Sequence, residues 1–503
     1  MSKNHSHWQK PFVEVIDQRE HELPPTWSST HPTTHARSEH GWAVFESGRG
    51  RAMANAVTAL LARAREKVVM SSFLLADEEV EDAILQAATR GVRVYVLLAS
   101  EARLGREEGD GEFDKRVLEQ HRAMLTRLGG HALFRSAPHF HAKVVVIDPE
   151  TRPEGMLLTA NLTKEALERN EELGVTLTDA EILEVTRYLK WAMWESAEHE
   201  LIDPNDRFKA TRPLGRISHP PSGEVVTATT PATQTIRSEA LRLIDGATSR
   251  IVVSSFGWDE DHEVVRRLCE RAREGLHVTV LARVRTASMK ALVALAHAGA
   301  TVLGFRWLHA KAIWTDAGRG LVMSANLQRD GLDQGFELGV RLSDGRAEEL
   351  RERLEAWRDA APWRLDAEPR LGELKGAVKL WQRGQLVDGE IAPTIDVDLG
   401  IVTAASAANL EAARPALPES ELRLAHELRC TWLVVAPTLA AKAKERLRPA
   451  EGARPAVAYE PPVFREPSGR LVVAVRSPED LELASAVMIE VEAATVVVEG
   501  VIR

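Results

Sequence analysis

One pattern of polar residues occurs twice in this chain and constrains its fold more than any other feature. Each copy has a His-x-Lys-x(4)-Asp segment, a Thr/Ser-Ala-Asn segment, and a Glu eleven positions after the Asn. The copies consist of His141, Lys143, Asp148, Thr159, Asn161 and Glu172, and of His309, Lys311, Asp316, Ser324, Asn326 and Glu337. Only the loop between Asp and Asn differs in length, by three residues, and surface loops tolerate such changes. The matched spacing predicts two copies of one structural unit.

The segments around the two copies also correspond. Lys67-Val-Val-Met-Ser-Ser-Phe73 and Arg250-Ile-Val-Val-Ser-Ser-Phe256 each follow an amphipathic helical pattern and precede another helix and strand. This alternation predicts the α/β class, with two pseudo-twofold-related halves, each a mixed sheet flanked by helices. The chain is expected to divide into an extension (1–40), a first half (41–202), a linker (203–222), a second half (223–366) and a C-terminal β-rich α+β domain of unknown role (367–503).

Composition narrows the functional class. The chain has 503 residues, 44% of them hydrophobic and 27% charged, which is typical of a soluble globular protein. Its N-terminus lacks the apolar core of a signal peptide, and no apolar run is long enough to cross a bilayer. Cys269 and Cys430 lack metal-ligand spacing and are expected to be free thiols. The prediction is a cytoplasmic protein. A net charge of −10 argues against non-specific coating of nucleic acid but leaves room for a local basic groove.

The duplicated pattern resembles the signature of the phospholipase D superfamily over roughly residues 45–365. The resemblance implies a phosphodiesterase that needs neither a metal nor another cofactor. One histidine is the nucleophile that forms a phosphohistidine, and the other is the general acid. By analogy His141 is the nucleophile and His309 the acid, although the near-symmetry leaves the reverse open.

The resemblance also implies roles for the remaining residues of the pattern. The lysines Lys143 and Lys311 and the asparagines Asn161 and Asn326 bind the non-bridging phosphate oxygens. Glu172 and Glu337 fix the histidine tautomers. Asp148 and Asp316 are expected to stabilise the local fold, and Thr159 and Ser324 match a hydroxyl position of the family. Gly335 stands where the first copy has Asn170, a departure that leaves the positioning at that point open.

Residue geometry supports the same site. Residues i and i+2 of a strand share a face, so each His is expected beside its Lys. Each Asn follows a strand and precedes a predicted helix, whose N-terminus suits an anion. Two halves would then surround one phosphate with two histidines, two lysines and two asparagines. Histidines with different tasks should titrate apart, so activity is expected to peak near or slightly below neutral pH.

Three residues outside the repeated pattern are further site candidates. His139 is expected on the face of His141, in a rim or structural role more readily than as a third catalytic imidazole. Trp258 and Trp307 flank predicted catalytic strands and are candidates for base stacking, although core packing is the commoner use of such residues. Three further tryptophans fall at helical spacing and are predicted to be core residues, namely Trp191, Trp194 and Trp357.

The pattern identifies phosphodiester chemistry but not its substrate. The leading hypothesis is a nuclease acting on DNA in preference to RNA, working beside a helicase or ATPase in bacterial anti-phage defence. The alternatives are a phospholipase D or phosphatidyltransferase acting on lipid head groups, and a nucleic-acid-binding scaffold. A monomer is sufficient for catalysis because both halves lie in one chain. The oligomeric state and the role of the C-terminal domain stay open.

Overall fold

The structure is a computed structural model of the chain. It describes residues 24–30, 43–48, 50–99, 115–137, 139–201, 208–211, 219–369, 376–382, 384–391, 431–434, 463–465, 471–475 and 496–499. Most of the predicted extension and linker, much of the predicted C-terminal domain, and Cys430 lie outside these ranges. Among the helices that are described, none combines the length and the apolar character needed to cross a membrane.

Strands account for most of the described elements. The first belongs to the N-terminal segment: β1 (Thr26–Ser29). The first half contains β2 (Val44–Glu46), β3 (Lys67–Ser72), β4 (Leu75–Ala76), β5 (Arg93–Ala99), β6 (Leu133–Ala137), β7 (Val144–Ile147), β8 (Glu154–Leu158), β9 (Leu162–Thr163), β10 (Leu173–Thr176), β11 (His199–Leu201) and β12 (Lys209–Ala210). The second half contains β13 (Val226–Thr230), β14 (Thr233–Gln234), β15 (Arg250–Ser255), β16 (His277–Arg283), β17 (Thr301–Phe305), β18 (Ala312–Thr315), β19 (Arg319–Met323) and β20 (Glu337–Ser343). The remaining strands are β21 (Trp363–Asp366), β22 (Gly376–Gln382), β23 (Gln385–Ile391), β24 (Thr431–Val434), β25 (Val463–Arg465), β26 (Leu471–Val475) and β27 (Val496–Glu499).

The described α-helices all belong to the two halves. They are α1 (Ala52–Arg63), α2 (Glu78–Thr89), α3 (Lys115–Leu128), α4 (Lys164–Glu168), α5 (Asp179–Trp191), α6 (Thr235–Gly246), α7 (Glu263–Arg273), α8 (Met289–His297) and α9 (Asp344–Ala360). A 3₁₀ turn at Thr286–Ser288 precedes α8, and single π-helical turns lie at Ala192–Ser196 and Asp330–Gln334.

Seven strands follow the same order in the sheets of the two halves, read from β6 to β2 in the first and from β17 to β13 in the second. In the first half the order is β12-β11-β6-β5-β3-β7-β8-β10-β2, and in the second it is β14-β13-β20-β19-β18-β15-β16-β17. Strands β3, β5 and β6 are parallel, as are β15, β16 and β17, whereas β7 and β18 run antiparallel to the central strands β3 and β15. The predicted α/β class with two halves built on mixed sheets is therefore confirmed.

A core shared by the two halves holds these sheets together. Side chains alternate across a strand, so Val69 of β3 and Val144 of β7 pack in the shared core, whereas Val68 and Val145 pack beneath the helices of the first half. The second half supplies Val252 and many other apolar side chains to the same core. The halves therefore bury apolar surface against each other, which is the main stabilising contribution to such an interface.

By contacts, the chain forms two units, residues 32–362 and residues 1–31 with 363–503. In the second of these, β1 lies between β21 and β22 in an antiparallel arrangement that continues to β23. Strand β1 falls within the predicted extension 1–40. A separate antiparallel sheet has the order β25-β26-β24-β27, in line with the β-rich texture of the C-terminal sequence.

Three tryptophans predicted to be core residues differ in burial. Trp357 is 2% exposed, and Trp191 is half-buried and stacks on Phe336 with 10° between the rings. Trp194 is 37% exposed, so its prediction was wrong. It lies in the π-helical turn after α5, where the helical spacing used for the prediction no longer holds, and Arg135 lies 4.1 Å above its ring.

The two signature aspartates accept hydrogen bonds from backbone near the start of a central strand. Asp148 accepts from the N–H groups of Arg65, Glu66 and Lys67 at 2.8–2.9 Å. Asp316 accepts in the same way from Thr248 and Ser249, through both N–H and O–H groups. Burial alone would raise the pKa of Asp148, but these hydrogen bonds lower it below its ordinary value. Such contacts fix the position of strands β3 and β15 beside β7 and β18.

We expect Asp148→Ala to destabilise the unit 32–362 by roughly 2–4 kcal/mol, since it removes three partly buried hydrogen bonds to a charged acceptor. Asp148 also has a φ of 44°, a conformation that Asn tolerates and Ala does not. Asp148→Asn should therefore lose less than Asp148→Ala. Because the folded pKa is lowered, the gap between wild type and Asp148→Ala should be full above about pH 4 and shrink below it. Urea denaturation at several pH values measures this, and equal loss in both variants would contradict it.

Candidate active site

Each signature histidine is held by the backbone of the opposite half. The N–H groups of His141 and Ala142 donate to the carbonyl oxygen of Phe336 at 3.0 and 3.1 Å. Reciprocally, the N–H groups of His309 and Ala310 donate to the carbonyl oxygen of Glu171 at 3.0 and 2.9 Å. The two histidine segments precede strands β7 and β18 and do not lie within them, so the expected placement on a strand was wrong in detail. Each histidine still lies beside its lysine, because backbone hydrogen bonds to the opposite half hold the segment that precedes the strand.

The histidine side chains pair with glutamates in the same crossed way. His141 Nδ1 lies 2.8 Å from Glu337 Oε1, and His309 Nδ1 lies 2.8 Å from Glu172 Oε1. Each glutamate immediately follows the residue whose carbonyl holds the opposite histidine. The sequence indicated that a glutamate would hold each histidine, but not that the partner would come from the other half.

The hydroxyl residues of the signature orient these glutamates. Thr159 Oγ1 donates to Glu172 Oε2 at 2.6 Å, and Ser324 Oγ donates to Glu337 Oε2. Both hydroxyls also accept a backbone N–H from the residue after the glutamate, Leu173 or Leu338. Each carboxylate therefore has one oxygen on a histidine and the other on a hydroxyl, which fixes its direction.

Phenylalanines of the repeated Ser-Ser-Phe segments pack on the same imidazoles. Phe73 meets His141 edge-on with ring centroids 5.3 Å apart, and Phe256 meets His309 with centroids 5.0 Å apart. The sequence revealed this repeat, but only as a sign of duplication. Its role in holding the rings was missed.

The signature lysines are fully buried beneath the histidines. Lys143 Nζ lies 2.8 Å from His141 Nε2, while Lys311 Nζ lies 2.9 Å from His309 Nδ1 and also donates to the His309 carbonyl. The two sets are therefore not identical, since the lysines meet different ring nitrogens. Burial lowers the pKa of Lys311 well below its ordinary value, although the nearby Glu172 opposes this.

Burial also dominates the protonation of the histidines. The pKa of His141 is lowered to about 4 and that of His309 to about 3, mainly because burial disfavours the imidazolium, while Glu337 and Glu172 oppose the change. The glutamates have lowered pKa values despite burial, because the histidines and lysines stabilise their charged forms. Both imidazoles are therefore neutral at pH 7, with 15% and 14% of their side-chain surface exposed.

Both histidines open into one cleft of about 380 Å³ that both halves line. Asn161 and Asn326 also line it, and the Oδ1 atom of each is buried with no hydrogen-bond partner in the described structure. Because amide orientation is inferred from such partners, either side chain can turn its NH₂ group toward a bound anion. Six of the eight predicted catalytic residues thus line one cleft, and the two buried lysines lie against its histidines.

Three further sequence candidates are also placed. His139 is exposed, lines the cleft and has a φ of 60°. Trp258 is 2% exposed and donates to the Ser255 carbonyl, so it is a core residue, whereas Trp307 lines the cleft.

The departure at Gly335 has a steric cause. A Cβ there would meet the Asp330 carbonyl oxygen at 2.5 Å, so the π-helical turn of the second half excludes the Asn found at the equivalent position 170.

Sequence reasoning missed the cationic residues of the cleft. Arg169, Arg283 and Arg285 all line it, yet none belongs to the repeated pattern, and no spacing in the sequence marks them. Across the described residues, no group of three or more His, Cys, Asp or Glu side chains is arranged to hold a metal ion.

Comparison with known proteins gives a family. The sequence model described as cardiolipin synthase, PLD-like domain, matches residues 57–194 and 240–358, slightly more than half of the chain. No curated protein matches.

Similar solved structures include phosphatidylserine synthase of Haemophilus influenzae Rd KW20, with 11% identity, a TM-score of 0.46, and coverage of 67% of this chain and 90% of that one. Nuc, a phospholipase D family member of Salmonella typhimurium, is 19% identical over 27% of this chain and 96% of its own, with a TM-score of 0.25. NucT of Helicobacter pylori is 21% identical over 31% of this chain and 95% of its own, with a TM-score of 0.25.

The family assignment depends on the sequence model and the twofold site, since these structural similarities are too low to add to it. The matched segments each contain one complete His-x-Lys, Asn and Glu set. The chain therefore belongs to the phospholipase D superfamily of phosphodiesterases and phosphotransferases, and it carries two PLD-like domains in one polypeptide.

Proposed function

We propose that this protein is a nuclease that cleaves DNA, or RNA, through a covalent phosphohistidine without a metal ion. The observation that carries the proposal is the crossed pair of His–Glu contacts. These contacts orient two neutral imidazoles toward one cleft, and a buried lysine lies against each of them. One imidazole with a lone pair and a second that can deliver a proton are what displacement at phosphorus requires.

The reaction follows from the hydrogen bonds. With its Nδ1–H donated to Glu337, His141 has a lone pair on Nε2, which accepts a hydrogen bond from Lys143 in the free protein. Once the lysine turns that N–H to a non-bridging phosphate oxygen, the lone pair attacks phosphorus and forms a P–N bond. The P–O bond to the leaving group breaks, and the leaving oxygen takes a proton from His309. A water molecule then gives its proton to His309 and attacks phosphorus, and the P–N bond breaks. Lys143, Lys311 and the two asparagines would stabilise the non-bridging oxygens throughout.

Charge explains how His309 becomes an acid despite its lowered pKa. With both lysines protonated, their charges balance those of the two glutamates, so the site is neutral when both imidazoles are neutral. A phosphodiester adds one negative charge, which favours the cationic form of each lysine and protonation of one imidazole. Substrate binding is therefore coupled to proton uptake.

Arginines favour a nucleic acid over a lipid as the substrate. Arg169, Arg283 and Arg285 line the cleft together with Trp307, a combination suited to a phosphate chain and its bases. A phospholipase D or phosphatidyltransferase is the alternative activity. A silent scaffold is the other, and the completeness of both residue sets argues against it. A helicase or ATPase partner, a role in anti-phage defence and a cytoplasmic location remain predictions based on family association and sequence.

Substrate class is tested by incubating the protein in excess EDTA with labelled single- and double-stranded DNA, RNA and phosphatidylcholine vesicles. We expect cleavage of a nucleic acid, lowered by at least about 10²-fold in His141→Ala. Choline release with intact nucleic acid would instead establish the lipid enzyme. Equal cleavage by wild type and His141→Ala would point to a contaminating nuclease.

The covalent step is tested with the radiolabelled p-nitrophenyl ester of thymidine 5′-phosphate. Its leaving group needs no proton, so His309→Ala should form the phosphohistidine but hydrolyse it slowly, because no base activates water. We expect a burst of one p-nitrophenolate per enzyme and an acid-labile label in His309→Ala, and neither in His141→Ala. The opposite result would exchange the two roles, and label in neither variant would contradict covalent catalysis.

The pH dependence of kcat/KM tests the coupling between substrate binding and proton uptake. Because the free imidazoles have pKa values of about 4 and about 3, we expect the rate to rise as pH falls from 8 toward 5, an optimum more acidic than the near-neutral one expected from sequence. The rate needs one neutral and one protonated imidazole, so its alkaline limb follows the higher pKa, that of His141, whichever histidine is the acid. Glu337→Gln removes an anion that raises the pKa of His141, so it should move the alkaline limb to lower pH, whereas Glu172→Gln should move the acidic limb of His309. A rate that stays flat or falls between pH 8 and 5, or an alkaline limb moved by Glu172→Gln alone, would contradict this expectation.

A further inference from the structure

The cleft has one cationic wall. We name as the arginine wall the set formed by Arg169, Arg283, Arg285, Phe256 and Trp307, all of which line the cleft. The guanidinium carbon of Arg169 lies 3.9 Å from the centre of the Trp307 ring, and that of Arg285 lies 4.3 Å from the centre of the Phe256 ring. Arg283 lies between the rings, 5.1 and 5.2 Å from their centres. The aromatic rings therefore support all three guanidinium groups.

The arginine wall lies on the side of His309. Phe256 packs edge-on against the His309 imidazole, and Trp307 precedes His309 by two residues. Arg283 ends strand β16, whose partner β17 leads directly into Trp307. The wall is therefore built by the second half around the proposed general acid, with Arg169 joining it from the first half.

The first half has no such wall among its described residues. Register equates Arg283 with Ala99, because Ser255 pairs with Ala282 and Ser72 pairs with Leu98. By the same count Trp307 corresponds to His139. The cleft beside His141 is instead lined by Phe73, Leu74, Val117 and His139. Two halves with one catalytic pattern thus differ in charge at equivalent positions, which a symmetric phosphate site does not require.

A second phosphate is the ligand that fits this asymmetry. Guanidinium groups bind phosphate through paired N–H groups, and stacking on an aromatic ring fixes their orientation in advance. Glu165 and Asp330 also line the cleft, so the anion is expected at the arginines and not along the whole cleft. The cleft volume of about 380 Å³ is in the range of roughly 300–1,000 Å³ that holds ligands larger than a single phosphate group.

We propose that the arginine wall binds the phosphate next to the scissile one, on the leaving-group side of a polynucleotide strand. The proposal rests on the proposed nuclease function, in which His141 attacks from one side and His309 protonates the leaving oxygen on the other. Because displacement at phosphorus is in line, the leaving strand extends past His309 toward Arg283 and Arg285. The substrate class is then a strand with consecutive phosphodiesters, and the wall sets the direction in which the strand lies.

The test uses short oligonucleotides in which one bridging phosphorothiolate fixes both the cut linkage and its leaving group. In this set the neighbouring linkage on either side is a normal phosphate or a neutral methylphosphonate. For the wild-type protein in EDTA, a methylphosphonate on the leaving-group side should lower kcat/KM by at least about tenfold, the effect of losing one charge-assisted hydrogen bond. The same change on the other side should have little effect.

The double variant Arg283→Gln/Arg285→Gln should no longer distinguish the neutral neighbour from the charged one. Arg273→Gln, an exposed position on α7 outside the cleft, should keep the wild-type ratio. The wild-type comparison needs no variant, so the test survives a variant that fails to fold. Insensitivity to the leaving-side methylphosphonate, or sensitivity on the other side alone, would overturn the wall assignment and leave the nuclease function intact. Failure to cleave even the oligonucleotide whose neighbouring linkages are both normal phosphates would overturn the wall assignment and the nuclease function together.

Discussion

The crossed contact between each histidine and the glutamate of the opposite half is the interaction on which the rest of the structure depends. It combines a side-chain hydrogen bond with backbone hydrogen bonds to the residue just before that glutamate. Neither half can position its own imidazole. The candidate active site is therefore complete only when the halves are docked, and the shared apolar core stabilises that docking.

The docking also explains how six ionisable groups persist in a small buried volume. An isolated buried lysine or glutamate is costly, but here each glutamate is bound by a histidine and a hydroxyl, and each lysine lies against a histidine. Burial keeps the imidazoles neutral and ready for an anion. The cost of burial and the readiness for catalysis thus have the same physical origin, the low polarity around paired charges.

The repeated pattern makes the site nearly symmetric, but the two halves differ in detail. The two lysines contact different nitrogens of their histidines. The second half also has Gly335 where the first half has Asn170, because the π-helical turn at Asp330–Gln334 leaves no room for a side chain there. The larger difference is the arginine wall beside His309. A symmetric phosphate site has no intrinsic polarity, so a polymer can be oriented only by residues outside the repeated pattern.

The sequence by itself determined the family and the α/β halves and predicted the candidate catalytic set, because matched spacing in two copies can be seen in the sequence alone. For Asp148 and Asp316 the sequence showed their place in the pattern, but it did not show which backbone N–H groups they would accept. Only the tertiary structure decided that Glu337 serves His141 and Glu172 serves His309, and that Arg169 meets Trp307 across the cleft. The periodicity of the sequence also could not predict that Trp194 is exposed or that the His141 segment lies before strand β7 and not within it. The physical reason is common to all: these contacts join residues far apart in the chain, and packing between the two halves selects them.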